Sequence, residues 1–239
     1  MASWAVVLRS PSDLGYENNG FILPPLKVNT HFVNAAVDDE YLFAMNVNTL
    51  AERRQARKLS LKDRVDLIAA KVNNSTEAYL IWCDYNAESE MLKNTITDAV
   101  EVKGPDTTEH KEQSMLGFSS GEVRVLVTKP SIAGYGMNWQ NCHQMAFCGL
   151  SDSYEQYYQA IRRCWRFGQK KPVIVDVVIS ESEETVLRNI RRKEADATRM
   201  AESMVKYTHG YIEKDIHRTA RRKNKYKSNQ IMEIPKWAM

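Results

Sequence analysis

"EVRVLVTKPSIAGYGMNWQ" spans residues 122–140. Its first seven residues, 122–128, form an apolar, Val-rich run of strand length. Pro130, Gly134 and Gly136 then break regular structure, so the chain turns at the end of a strand that reads as buried. Gly134 and Gly136 permit close backbone approach to a ligand, and Asn138 and Gln140 add side-chain amides. A lone G-x-G also occurs in ordinary strand–helix turns, so the fold is decided by what flanks this stretch.

The flanks repeat the same unit. "AYLIWC" (78–83), "AVEVKG" (99–104), "HQMAFCG" (143–149) and "PVIVDVVIS" (172–180) are further strand candidates. Helix candidates at about 86–97, 108–118 and 152–167 separate them. Short, buried-looking strands alternating with helices predict an α/β fold with a parallel sheet, which binds ligands at the carboxyl ends of its strands. Upstream, residues 1–35 are extended in character and rich in Pro, Gly and Asn. Residues 50–74 read as helix broken near Ser60, with Leu61, Val65, Ile68 and Val72 on one face. After residue 181 a long helix is expected to about 205, then a second helical stretch and a loose tail. The expected organisation is a lead-in at 1–55, an α/β domain at 56–182 and a basic helical extension at 183–239.

Of the 239 residues, 43% are hydrophobic and 26% charged, the balance of a soluble globular protein. No apolar run approaches the ~20 residues of a membrane span, and "MASWAVVLRS" lacks the pattern of a secretory signal. An intracellular, non-secreted chain is expected, with its four cysteines as reduced thiols. Cys142 and His143 are adjacent, which suits zinc poorly, so no metal site is expected. The net charge of +3 hides an asymmetry: residues 188–239 hold 14 Lys/Arg against 6 Asp/Glu, and the rest of the chain is net acidic. Such an end suits nucleic acid, and equally a solvated helix.

"YEQYYQAIRRCWRFGQ" (154–169) concentrates charge among aromatics. Read as a helix, it is capped by Asp152, with Glu155 in capping-box position, and stops at Gly168. Tyr154, Tyr158, Ile161 and Trp165 then form one stripe, and Gln159, Arg163 and Arg166 another. The second stripe suits a phosphate, because the arginine fork makes paired hydrogen bonds to oxyanions and keeps its proton.

In order along the chain, four blocks resemble superfamily 2 helicases and translocases, nearest the Swi/Snf-like group with its phage relatives. "AYLIWCDYNAESEML" (78–92) is similar to motif IV, and "VEVKGPDTTEHKEQSMLGF" (100–118) to the next block. "TKPSIAGYGMNWQ" (128–140) looks like motif V and "QAIRRCWRFGQ" (159–169) like motif VI. Gln159, Ala160, Arg163, Arg166, Gly168 and Gln169 match the motif VI pattern. The resemblance covers about residues 60–180, and the opening "RSPSDLGYENNGFILPPL" adds a weaker likeness. Trp165 stands where the family often has His, and Trp139 where an aliphatic residue is usual.

The resemblance implies a RecA-like helicase C-terminal domain of the P-loop NTPase type. No G-x-x-x-x-G-K-[ST] occurs in the chain, and "AAVDDEYLF" (35–43) is a poor Walker B candidate without one. The chain therefore reads as the second half of a helicase core. ATP with Mg2+ would be held mainly by an N-terminal RecA-like domain, supplied in trans or lost by truncation, which would also carry the magnesium ligands. Arg163 and Arg166 would be arginine fingers, with Gln159 coupling nucleotide state to domain closure. Gly134, Gly136 and Asn138 would line the nucleotide cleft, and Thr128, Lys129 and Arg162 would face nucleic acid, DNA rather than RNA. The other reading of Arg162 is that it points into water. A non-catalytic nucleic-acid-binding or helicase-regulating module is the alternative.

Overall fold

The computed structural model describes residues 8–33, 50–134 and 136–216. The chain divides into two compact units, residues 19–198 and residues 1–18 with 199–239. Among the described residues the larger unit holds six strands: β1 (Leu26–Val33), β2 (Tyr79–Cys83), β3 (Ala99–Val102), β4 (Val125–Thr128), β5 (Gln144–Cys148) and β6 (Val173–Ser180). All are parallel, in the order β1-β6-β5-β2-β4-β3. The parallel α/β sheet expected from the sequence is the observed fold.

The helices are α1 (Leu50–Leu59), α2 (Leu61–Asn73), α3 (Asn86–Thr95), α4 (Thr108–Ser120), α5 (Pro130–Ala133), α6 (Tyr154–Ile161) and α7 (Glu184–Ile216). The helix break falls at Ser60 as the pattern predicts, and Val65, Ile68 and Val72 of α2 are buried. Strand side chains alternate between two cores, as a two-residue period requires. Leu80 and Trp82 of β2 face a core with Phe118 of α4, Ala160 and Ile161 of α6, and Ile190 of α7. Tyr79, Ile81 and Cys83 face the opposite core, with α2 and Leu92 of α3. Helices on both faces leave the central strands apolar on both sides, which explains runs such as "YLIWC".

β1 is the one strand the sequence does not announce. "LKVNTHFV" is half polar because it lies at the sheet edge, and a buried carboxylate helps hold it. Asp176 of β6 accepts hydrogen bonds from Asn29 (3.1 Å) and Lys71 (2.9 Å) and bonds His31 Nε2 (2.7 Å). Burial pushes the Asp176 carboxyl up, but these partners more than offset it and hold it below the usual range. The segment read as a lead-in, 1–55, thus supplies a strand to the same sheet as residues 56–182.

Beyond β6, α7 runs without interruption to Ile216, where a stop near 205 was expected. In the smaller unit, Asp13 accepts from Arg9, Arg9 pairs with Glu202 at 3.6 Å, and His209 Nδ1 bonds the Asp13 carbonyl at 2.9 Å. "AAVDDEYLF" and the basic tail beyond 216 lie outside the described residues. No described helix is long and apolar enough to cross a membrane.

Candidate functional site

The helix carrying the charged motif is shorter than its sequence suggests. α6 is capped by Ser153, not Asp152: the Ser153 hydroxyl accepts from the Gln156 N–H, and Glu155 opens the first turn. It ends at Ile161, with Arg162 at its C-cap. Residues 162–168 form a run of turns, and Gly168 at φ 93° closes that run rather than a helix. The helical stripes drawn through residue 166 therefore do not hold. Tyr157, Ala160, Ile161 and Cys164 face the core, whereas Tyr158 is exposed.

Within this arginine turn the three arginines have different surroundings. Arg163 is buried. Its Nη1 donates to the Met137 carbonyl (2.8 Å), its Nε to the Gln159 carbonyl (3.1 Å) and its Nη2 to Gln159 Oε1 (3.2 Å). The Trp139 N–H donates back to the Arg163 carbonyl at 2.9 Å. The structure thus joins Gln159 and Arg163 to the glycine loop. Arg162 lies over aromatic rings: its guanidinium is 5.3 Å from the Trp165 ring and 5.9 Å from that of Tyr158. Arg166 is half-buried, and its Nε is enclosed with no hydrogen-bond partner among the described residues. An enclosed donor left unpaired costs on the order of 1–3 kcal/mol.

The turn is held on three sides. Gln169 Nε2 donates to the carbonyls of Cys142 (2.9 Å), Gln140 (3.1 Å) and Cys164 (3.3 Å). The Trp165 indole donates to the Pro24 carbonyl at 2.7 Å, and Phe167 stacks on Phe21 with ring centroids 5.4 Å apart. Residues 156–175 contain five Lys/Arg and no acid.

The glycines of "TKPSIAGYGMNWQ" serve the backbone. After β4 the chain makes the short helix α5, and a Cβ on Gly134 would sit 2.1 Å from the Pro130 carbonyl oxygen. Gly134 therefore permits a close approach of the chain to itself. Gly136, at φ 85°, needs the left-handed region and faces open space. Asn138 is exposed. Trp139 is fully buried, edge-on to Phe118 at 5.4 Å, with its indole donating to Ser119 Oγ at 2.9 Å. Thr128 corrects the expectation of a nucleic-acid contact: it is fully buried and its hydroxyl donates to the Val102 carbonyl at 3.0 Å. Lys129 remains at the carboxyl edge, its Nζ 2.6 Å from Asn86 Oδ1.

A second constellation at the carboxyl edge is absent from the sequence reading. Arg57 of α1 binds Glu88 of α3 bidentately, at 2.9 and 3.1 Å, and Asp84 at 3.0 Å. It also donates to the carbonyls of Leu150 and Cys148, both at 3.2 Å. Arg64 of α2, fully buried, donates to the same Glu88 at 2.9 Å. Gly149, at φ 86°, makes room: a Cβ there would lie 2.4 Å from Arg57 Nη2. Burial pushes Asp84 up despite Arg57. Burial also acts to raise Glu88, but Arg57 and Arg64 together hold it below its usual range. Burial lifts the Cys148 thiol to about 12, so it stays protonated beside this cluster. The recoverable signal was Arg57 and Arg64, seven residues apart on one face, with Glu88 just past a strand end.

Comparison with known proteins gives the same picture. Residues 61–168 match the helicase conserved C-terminal domain, a stretch that runs from α2 to the end of the arginine turn. The bifunctional helicase and thymine dioxygenase JBP2 of Leishmania braziliensis is 31% identical over 135 residues, covering 53% of this chain. JBP2 of Leishmania infantum matches equally, at 31% over 135 residues. The chain spans 12% of the length of these relatives. The C-terminal part of the Fun30 ATPase domain superposes with a TM-score of 0.57 at 11% identity, covering 82% of this chain and 99% of that one. That is a likeness of fold. Residues 61–168 are thus similar to the helicase conserved C-terminal domain, on a parallel α/β fold like that of the C-terminal part of the Fun30 ATPase domain.

Proposed function

We propose that the chain is the second RecA-like domain of a Swi/Snf-like, nucleic-acid-dependent ATPase. In this reading it presents a cationic turn to ATP held on a separate, P-loop-bearing RecA-like domain. The observation that carries it is Arg166: a guanidinium fixed at the end of a braced turn, with one enclosed donor unpaired and no acid within residues 156–175. A γ-phosphate oxygen supplies the acceptor and the charge that such a group lacks.

The residues fit one end of a bound nucleotide and not the other. No described group of three His, Cys, Asp or Glu could hold a metal ion. In this reading the magnesium carboxylates and the phosphate-cradling loop belong to the partner domain. ATP would supply the phosphoanhydride bond whose cleavage, with the γ-phosphoryl group passing to water, builds up charge on oxygen. Arg166 stabilises that charge from across the cleft, and Gln159 holds Arg163, whose Nη1 reaches the Met137 carbonyl of the glycine loop, so that contact at one reaches the other. Lys129 and exposed Asn138 offer a cation and an amide to a nucleic-acid backbone, which suits tracking along phosphates rather than base readout.

ATP turnover tests this, measured for the chain alone and for the chain joined to a P-loop-bearing RecA-like domain, with and without single-stranded DNA. The chain alone is expected at background, and the joined protein to turn over with DNA stimulation. Substantial turnover by the chain alone would mean that a nucleotide site lies elsewhere. DNA binding without turnover in the joined protein would favour a non-catalytic module.

A further inference from the structure

We propose that Cys142 and Cys164 form a redox site, at which a peroxide joins the two thiols as a disulfide that locks the arginine turn to the chain just ahead of β5. This assignment stands on contacts within the chain and does not depend on the ATPase reading.

The fold brings together two cysteines that the sequence keeps apart. Cys142 precedes β5 and Cys164 lies in the arginine turn, yet both are fully buried in the same core. One side-chain nitrogen holds both backbones. Gln169 Nε2 donates to the Cys142 carbonyl at 2.9 Å and to the Cys164 carbonyl at 3.3 Å. The two thiols also interact with each other. Neighbouring backbones with interacting sulfurs are what a disulfide requires.

The other two cysteines provide a contrast within the same molecule. Cys83 and Cys148 are direct neighbours on β2 and β5 and face one core. The Cys83 thiol nevertheless donates to the Thr128 carbonyl of β4 at 3.5 Å, on the far side of β2 from β5. Cys148 Sγ accepts from Arg64 Nη1 at 3.4 Å. Adjacent backbones therefore do not bring these two sulfurs together.

The members of the reactive pair have different parts. The thiolate is the nucleophile. Burial, reinforced by the Cys142 thiol, pushes the Cys164 thiol well above its usual range, so it stays protonated while the turn is closed. The first step belongs to the opened turn, where water reaches Cys164 and the adjacent Arg163 favours its thiolate. The thiolate attacks one peroxide oxygen, the O–O bond breaks, and hydroxide leaves and takes up a proton. Cys164 is then a sulfenic acid. Cys142 stays behind, its thiol donating to the carbonyls of Gln144 (3.1 Å) and Ala78 (3.3 Å). When the turn closes, the Cys142 sulfur attacks the sulfenic sulfur. The S–O bond breaks, and the hydroxyl leaves with the Cys142 proton as water. Two thiols are oxidised to one disulfide and one peroxide is reduced to two waters. A small dithiol reverses the bridge by exchange.

Hydrogen peroxide, added to the purified chain, is the probe. Free thiols are then alkylated in denaturant and the peptides are mapped by mass spectrometry. A Cys142–Cys164 peptide pair short of two hydrogens is expected, with Cys83 and Cys148 alkylated. Sub-denaturing urea is expected to speed its formation, because local opening exposes Cys164. The bridge closes the segment from 142 to 164, so the thermal midpoint is expected to rise by about 5–10 °C and to fall back with dithiothreitol. In Cys142→Ala, a sulfenic acid at Cys164 is expected to persist, trapped by dimedone, with no rise in midpoint. The absence of a bridged peptide within one chain would overturn the proposal. So would a Cys83–Cys148 bridge, or a bridged chain that melts no higher than the reduced one. Should Cys142→Ala fail to fold, the peptide map and midpoint of the parent chain decide by themselves.

Discussion

Replacing Glu88 with Gln strikes the buried charge cluster at its centre. The Glu88 carboxylate accepts five hydrogen bonds: Arg57 Nε and Arg64 Nη1 at 2.9 Å, Arg57 Nη2 at 3.1 Å, and the backbone N–H groups of Asp84 and Tyr85 at 3.0 and 3.1 Å. A glutamine keeps one acceptor oxygen and turns an NH2 toward donors. Arg64, fully buried, then loses its carboxylate partner. Removing one partner of a buried ion pair costs about 3–5 kcal/mol. In a domain of this size that lowers the thermal midpoint by roughly 6–20 °C. Thermal and urea unfolding at pH 7 measure it, with an unchanged urea slope showing that the folded state is otherwise intact. The pH dependence has a definite sign. The folded carboxyl is held below its unfolded value of 4.5, so its stabilisation is fully present above that value and is lost as pH falls through the folded one. The gap between parent and Glu88→Gln therefore narrows below about pH 4.5. A midpoint within 2 °C of the parent at pH 7 would refute the view that Glu88 of α3 holds Arg57 of α1 and Arg64 of α2 in place.

Further outcomes follow from the same contacts. Asp176→Asn is expected to cost about 1–3 kcal/mol and to raise amide exchange in residues 26–33, read by exchange mass spectrometry. Its effect fades in acid, because the parent carboxyl is also held low. Gly149→Ala is expected to destabilise strongly, by more than about 2 kcal/mol, since a positive φ and the Arg57 guanidinium both oppose a Cβ. Gly136→Ala, at a similar φ in open space, is expected to cost only about 1–2 kcal/mol in denaturant unfolding.

The central sheet was legible because strands buried on both faces leave continuous apolar runs, as in "YLIWC" and "VIVDVVIS". β1 was not, because an edge strand held by Asn29, His31 and Asp176 looks polar and its partner lies 147 residues away. The motif residues could be found by order and spacing. Their orientations could not: helical phase says nothing about where a helix stops, and α6 stops at Ile161, before all three arginines. Thr128 was expected to face nucleic acid, as the first residue of the motif V-like stretch. Its hydroxyl instead caps the neighbouring strand through Val102. The Arg57–Glu88–Arg64 cluster joins residues 24 and 31 positions apart, and such pairings are set by packing rather than by local pattern.

The most direct test of the proposed role is ATP turnover by the chain joined to a P-loop-bearing RecA-like domain, with Arg166→Ala set against the parent in saturating single-stranded DNA. If the arginine turn acts on the nucleotide, kcat falls at least about a thousandfold. DNA affinity at fixed salt should stay within about threefold. Turnover within tenfold of the parent would contradict the assignment of Arg166 to the phosphate.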